Sequence, residues 1–106
     1  MKILDALQVL SKERDARLFL YIGEPNVYSL SGYILGFGAC LEADGRSAAD
    51  YDEFATWLRD VKREFPGEGW TKKYLADFND DHVRAIRKFL NFVDEFLAMK
   101  KQGGAA

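Results

Sequence analysis

One cysteine, one histidine and two prolines are all that this 106-residue chain carries of those types. A lone Cys40 has no partner for an intrachain disulfide, and a domain that folds without disulfides suits a reducing compartment. Cys40 lies in an apolar run and reads as a small buried core residue. One cysteine and one histidine cannot supply the three or four ligands of a structural zinc site. A long hydrophobic run is also missing. The longest stretch without charge, Pro25 to Leu41, is about 17 residues and includes glycine, serine and tyrosine, whereas a bilayer span takes roughly 20 apolar residues. The segment Met1-Lys2-Ile3-Leu4 meets Asp5 at once, so no signal peptide is expected and the expected location is cytoplasmic. There is no excess of positive charge either: 15 basic residues stand against 17 acidic ones, a net charge of −2. That balance lacks the electrostatic footprint of nucleic-acid binding. Arg84, Arg87 and Lys88 sit together, which reads as a solvated helix face. Neither a nucleic acid nor a membrane is expected as a partner.

What the chain does have is 48% apolar and 14% aromatic residues, too many for disorder and enough for one small domain. The clearest pattern lies near the C-terminus. Val83, Ile86, Phe89, Leu90, Phe92, Val93, Phe96, Leu97 and Met99 fall, with Ala85, on an arc of roughly 200° at 3.6 residues per turn. A surface helix needs a stripe of about 100°, so this one is expected to lie centrally, in a groove between other elements. Asn79-Asp80-Asp81 opens it with acidic groups where the macrodipole favours them.

Earlier in the chain, Ile3, Leu4, Leu7, Val9 and Leu10 predict a short first helix. Leu18 to Ile22 could be a strand or an irregular apolar connection; the latter is preferred because a lone strand has no partner. After the break at Gly23 to Asn26, a helix is predicted from Val27 or Ser29 to Ala43. It carries two stripes: small residues Ser29, Gly32, Gly36, Ala39 and Ala43, and large ones Leu30, Ile34, Phe37 and Leu41. An isolated glycine costs a helix about 1 kcal/mol against alanine, so the small stripe is expected to let another helix pack closely. Gly45 reads as the left-handed stop, and Ser47 or Asp50 as the next cap. Tyr51, Phe54, Leu58, Val61 and Phe65 then follow a 3-4-3-4 spacing up to Pro66-Gly67, with Trp57 at the stripe's edge. Trp70, Tyr74 and Phe78 mark a short helix from about Gly69 to Asp77. The expected fold is all-α, a compact bundle of about five helices in one domain over residues 1–101, with Gln102 to Ala106 as a flexible tail.

Catalytic patterns are scarce. His82 stands beside two aspartates, but at a helix start, and no motif ties a serine or cysteine to it. The acidic residues from Asp44 to Glu53 do not keep calcium-loop spacing, and neither a GxxxxGK[ST] loop nor a GxGxxG turn occurs. Accordingly no residue is assigned to catalysis, a cofactor or a metal.

Three segments together resemble a loose group of small bacterial helical proteins, most of them uncharacterised, some associated with toxin–immunity gene neighbourhoods. These are Tyr21-Ile22-Gly23 with Ser29-Leu30 and Gly32-Tyr33; Phe54, Trp57 and the run to Phe65, then Gly67 to Trp70; and Phe89-Leu90-x-Phe92-Val93-Asp94-Glu95-Phe96. The resemblance implies a fold and an immunity-like setting; it carries no functional residue over.

The leading reading is a noncatalytic protein-binding module of the immunity-protein kind. Its candidate partner-binding residues are Trp57 and Trp70, as aromatic anchors, and the acidic Glu42, Asp44, Asp50, Asp52 and Glu53, as a surface for a basic protein. The alternative is a small-molecule binder or an enzyme of undescribed type, with Tyr28, Tyr33, Trp70, Tyr74, Gly32 and Gly36 lining a pocket between helices. A homo-oligomer is left open, with no feature that asks for one.

Overall fold

The computed structural model describes residues 2–103. They form α1 (Ile3–Lys12), a 3₁₀ turn (Asp15–Arg17), α2 (Phe19–Ile22), α3 (Val27–Ala43), α4 (Ala49–Asp60), α5 (Thr71–Asp77) and α6 (His82–Gly103). No strand occurs among the described residues. The fold is all-helical, with six α-helices rather than about five. The additional one is α2, a single turn where an irregular connection was expected: Leu18 anchors it in the core while Phe19, Leu20 and Tyr21 project outward. At the other end, α6 continues through Gln102 to Gly103, and the rest of the expected tail, 104–106, lies outside the described residues.

α6 packs against α1, α3, α4 and α5. Ala85, Ile86, Phe89, Leu90, Val93 and Phe96 are buried, Val83, Phe92 and Leu97 are half-buried, and Met99 is exposed. The neighbours therefore close on the middle of the helix and leave its ends more open. Asp81 Oδ1 accepts the Arg84 N–H at 3.1 Å and starts α6, as the acidic opening predicts.

α3 begins where Asn26 Oδ1 accepts the Ser29 N–H at 2.8 Å. It ends in a Schellman motif. Gly45 takes φ +71°, its N–H reaches the Glu42 carbonyl, and the Arg46 N–H reaches the Leu41 carbonyl at 2.7 Å. The large stripe turns inward, with Leu30, Ile34 and Leu41 buried, because those side chains gain far more from leaving water than glycine or alanine does. The small stripe does not pack against another helix. A Cβ built on Gly32 or Gly36 meets nothing within 4 Å, so these glycines face away from the core. Cys40 shares this outward side and is exposed, not buried.

α4 stops at Asp60, short of the expected Phe65. Arg63 takes a left-handed φ of +57°, and the Glu64 N–H returns to the Leu58 carbonyl at 2.9 Å. Val61 is consequently 67% exposed, and Phe65 packs on the core only in part. Trp57 and Trp70, proposed as partner anchors from sequence, are core side chains at 9% and 3% exposure. The Trp70 ring stacks on Phe89 at 4.2 Å, and Trp57 packs among Phe54, Phe92 and Phe96. Aromatic rings with this much apolar area gain most by joining the central cluster around α6.

Candidate functional site

The turn between α3 and α4 brings the start of α4 to the edge of α3 and separates the five acidic candidates. Glu42, near the end of α3, and Asp52, in the first turns of α4, border one shallow groove of about 310 Å³ lined by Ile34, Leu35, Gly38, Ala39, Ala48 and Tyr51. Both carboxylates are exposed, and neither is in an ion pair among the described residues. Leu35 is 72% exposed, the most open of the large apolar side chains. Burial, and secondarily the Asp52 charge, push the Tyr51 hydroxyl up to about 12, so it stays neutral at ordinary pH.

The other three acids do other work. Asp44 pairs with Arg46 at 3.1 Å, and Glu53 with Lys100. Asp50 turns away from the groove. Its Oδ2 accepts the Leu4 N–H at 2.9 Å and caps the start of α1 from another helix, while its Oδ1 is buried without a partner. Ser47 takes over the local role at α4, accepting the Ala49 N–H at 3.0 Å. Asp50→Ala is expected to lower stability by about 1–2 kcal/mol through the lost cap, measurable as a reduced urea midpoint with unchanged slope.

His82 is committed to the fold. Its Nδ1 accepts the Val27 N–H at 3.2 Å at the opening of α3, and its ring meets Tyr28 edge-on. The neighbouring Asp81 bonds the Arg84 N–H instead. Among the described residues no three His, Cys, Asp or Glu side chains are placed to hold a metal ion. The residues suggested for a ligand pocket separate. Trp70 and Tyr74 are in the core, whereas Gly32, Tyr33 and Gly36 line an open groove with Phe37, Cys40 and Leu41.

The cations of α6 are largely engaged. Arg87 bonds Asp15 at 2.5 Å and the carbonyls of Ser11 and Glu13; Lys88 bonds Asp77 at 2.6 Å and Glu64 at 3.0 Å. Burial pushes the Glu64 carboxyl up, but hydrogen bonds from Lys73 and Lys88 outweigh it and hold it below its ordinary value. Burial raises Tyr74 far above the ordinary tyrosine range, and its hydroxyl donates to the Glu64 carbonyl at 2.9 Å. Arg84 alone of the three stands well out, 3.6 Å from Asp81. Lys88 braces the joint of α5 and α6, and Arg87 ties α6 to the end of α1 and the turn after it, so these cations do not form an open stripe.

Leu35 is the large groove residue that pattern reading passed over, while Tyr51 was read as a core position of α4 and is half-buried at the groove. Leu35 belongs to neither stripe of α3, and that exclusion was the available signal: a large apolar side chain off the core face has to sit at an edge.

No protein-family model, curated protein or solved structure matches the chain. Among the described residues no helix is long and apolar enough to cross a membrane.

Proposed function

We propose that this domain is a noncatalytic protein-binding module of the immunity-protein kind, working in the cytoplasm, whose α3–α4 groove takes a basic segment of a partner protein. The observation that carries the reading is Leu35, 72% exposed between the unpaired carboxylates of Glu42 and Asp52. An apolar anchor inside a charged rim is the arrangement of an interface hot spot: the apolar contact supplies affinity, and the carboxylates steer and select a cationic partner. The scatter of the remaining polar groups supports the same reading, because His82, Asp50 and Asp81 each spend their hydrogen bonds on helix starts.

The test is affinity capture from native extract, followed by calorimetric titration of the captured protein against variants. Leu35→Asp and the double variant Glu42→Lys/Asp52→Lys are each expected to weaken binding at least tenfold, about 1.4 kcal/mol or more. The wild-type affinity is expected to fall with salt, and the charge-reversed chain to lose that dependence. Both variants alter exposed side chains, so their thermal midpoints stay near wild type. Unchanged affinity in both would dismiss the groove.

A further inference from the structure

We infer that the α3–α4 groove continues past Leu35 into an aromatic cavity that holds one arginine side chain of the basic segment. The inference rests on the binding reading given above and names the residue type by which the partner is selected.

Three parts of the chain build the cavity. Ser31, Ile34 and Leu35 of α3 form one wall, and Tyr51 of α4 forms the next. The rest comes from the link between α4 and α5. There the Gly69 N–H returns to the Pro66 carbonyl at 2.8 Å, and Gly69 takes φ +98°, a value that strains any residue with a Cβ. This turn brings Glu68 and Trp70 to one cavity, together with Phe65 from the segment before it. The volume is about 210 Å³. Small-molecule pockets begin at roughly 300 Å³, so the space suits a single side chain. Ile34, Leu35 and Tyr51 line both this cavity and the groove that Glu42 and Asp52 border. An extended segment lying across Leu35 therefore reaches both.

Three rings and one carboxylate decide the chemistry. Tyr51, Phe65 and Trp70 supply aromatic walls, and aromatic rings attract a cation held against their faces. Glu68 is exposed and is in no ion pair among the described residues. No basic side chain lines either the cavity or the groove. The charge along this path is thus negative throughout, with Glu68 at one end and Glu42 and Asp52 at the other, and it complements a segment with cations on both sides of an apolar contact. Arginine fits the aromatic end better than lysine. An ammonium is strongly hydrated and would shed that water in an apolar space. A guanidinium is flat and weakly hydrated, stacks on rings, and keeps donors for Glu68 and for the hydroxyls of Ser31 and Thr71. The walls stand in place before anything binds: Trp70 stacks on Phe89 at 4.2 Å, and Tyr51 meets Phe54 at 6.0 Å. Little ordering cost then falls on binding.

Titration of the isotope-labelled chain with N-acetyl-arginine amide, followed by NMR, tests the inference without a captured partner. The Trp70 indole and the Gly69 and Thr71 amides are expected to shift together and saturate, with a Kd on the order of a few millimolar. The Trp57 indole, which does not line the cavity, is expected to stay in place. N-acetyl-lysine amide is expected to bind about fivefold more weakly, or worse. Glu68→Gln and, independently, Phe65→Leu are expected to weaken the arginine amide by about fivefold or more, whereas Asp60→Asn leaves it unchanged. Glu68 is exposed, so its variant keeps the wild-type thermal midpoint. No saturable shift up to about 50 mM overturns the inference. Lysine amide that binds as tightly as arginine overturns it too, as does equal weakening by Asp60→Asn. Failure of the groove is told apart from failure of the cavity, since Leu35→Asp and Glu42→Lys/Asp52→Lys are judged on the captured protein in a separate titration. Arginine amide that does not bind leaves the groove reading standing.

Discussion

Val93→Asp is expected to leave the chain unfolded at 25 °C. Val93 lies in the middle of α6 with no exposed surface, where the helix is closed in by its neighbours. Removing the buried valine forfeits about 1.5–3 kcal/mol of apolar burial. Placing a carboxyl there without a partner adds several kcal/mol more, whether the group stays charged or takes up a proton. Together these approach the roughly 5–15 kcal/mol that holds a domain of this size. The check is helical circular dichroism with a urea titration: the variant should show reduced helicity and no cooperative transition. Phe92→Asp, one residue earlier, provides the contrast. Phe92 is half-buried, so the carboxylate can turn toward water, and a cooperative melt with a loss of about 1–3 kcal/mol is expected. A Val93→Asp chain that melts near the wild-type temperature would remove α6 from the centre of the fold.

That contrast between neighbours shows where the sequence was legible. The ten-residue arc on α6 identified the right helix, but the arc alone gives no depth: Val83, Phe92, Leu97 and Met99 lie on it and remain partly or largely open. Depth depends on which helices cross α6 and where, and that is settled by packing between segments distant in the chain. Caps were readable because they are local. Gly45, Ser47 and Asp81 each act within a few residues of their own position. Asp50 was not readable, because its partner is the Leu4 N–H forty-six positions away. The end of α4 was misplaced for a related reason. The 3-4-3-4 spacing runs on to Phe65, but Arg63 takes a left-handed turn that no glycine announces. On α3 the pattern gave two candidate faces and no means of choosing what each would meet. The core took the large residues, and the small ones were left outward. Among the acidic candidates, composition could mark all five, but only the turn between α3 and α4 determines that Glu42 and Asp52 share a rim with Leu35.

Phe89→Ala carries the second large effect. Its ring stacks on Trp70 at 4.2 Å and meets Phe54 edge-on at 5.6 Å, with Tyr74 at 6.4 Å. One side chain of α6 thus joins α4, α5 and the turn that leads into α5. Truncation removes the apolar contacts and leaves a cavity that rigid aromatic walls cannot fill, a combination that costs about 3–5 kcal/mol. For a domain near 100 residues each kcal/mol lowers the melting midpoint by about 4–8 °C, so a drop on the order of 15–30 °C is expected. The result has a local signature as well. Trp70 loses its stacking partner, whereas Trp57 packs on Phe54, Phe92 and Phe96 and keeps all three. In Phe89→Ala carrying Trp57→Phe, the remaining emission comes from Trp70 and should shift to the red as water enters the cavity. In the counterpart that keeps Trp57 and carries Trp70→Phe, the emission should barely move. Phe89→Leu should recover part of the stability by refilling volume, but not the near-ultraviolet dichroism that a stacked ring pair produces. Equal red shifts in the two tryptophan backgrounds would mean that the aromatic core loosens as a whole, and that α5 is not held to α6 through this stack.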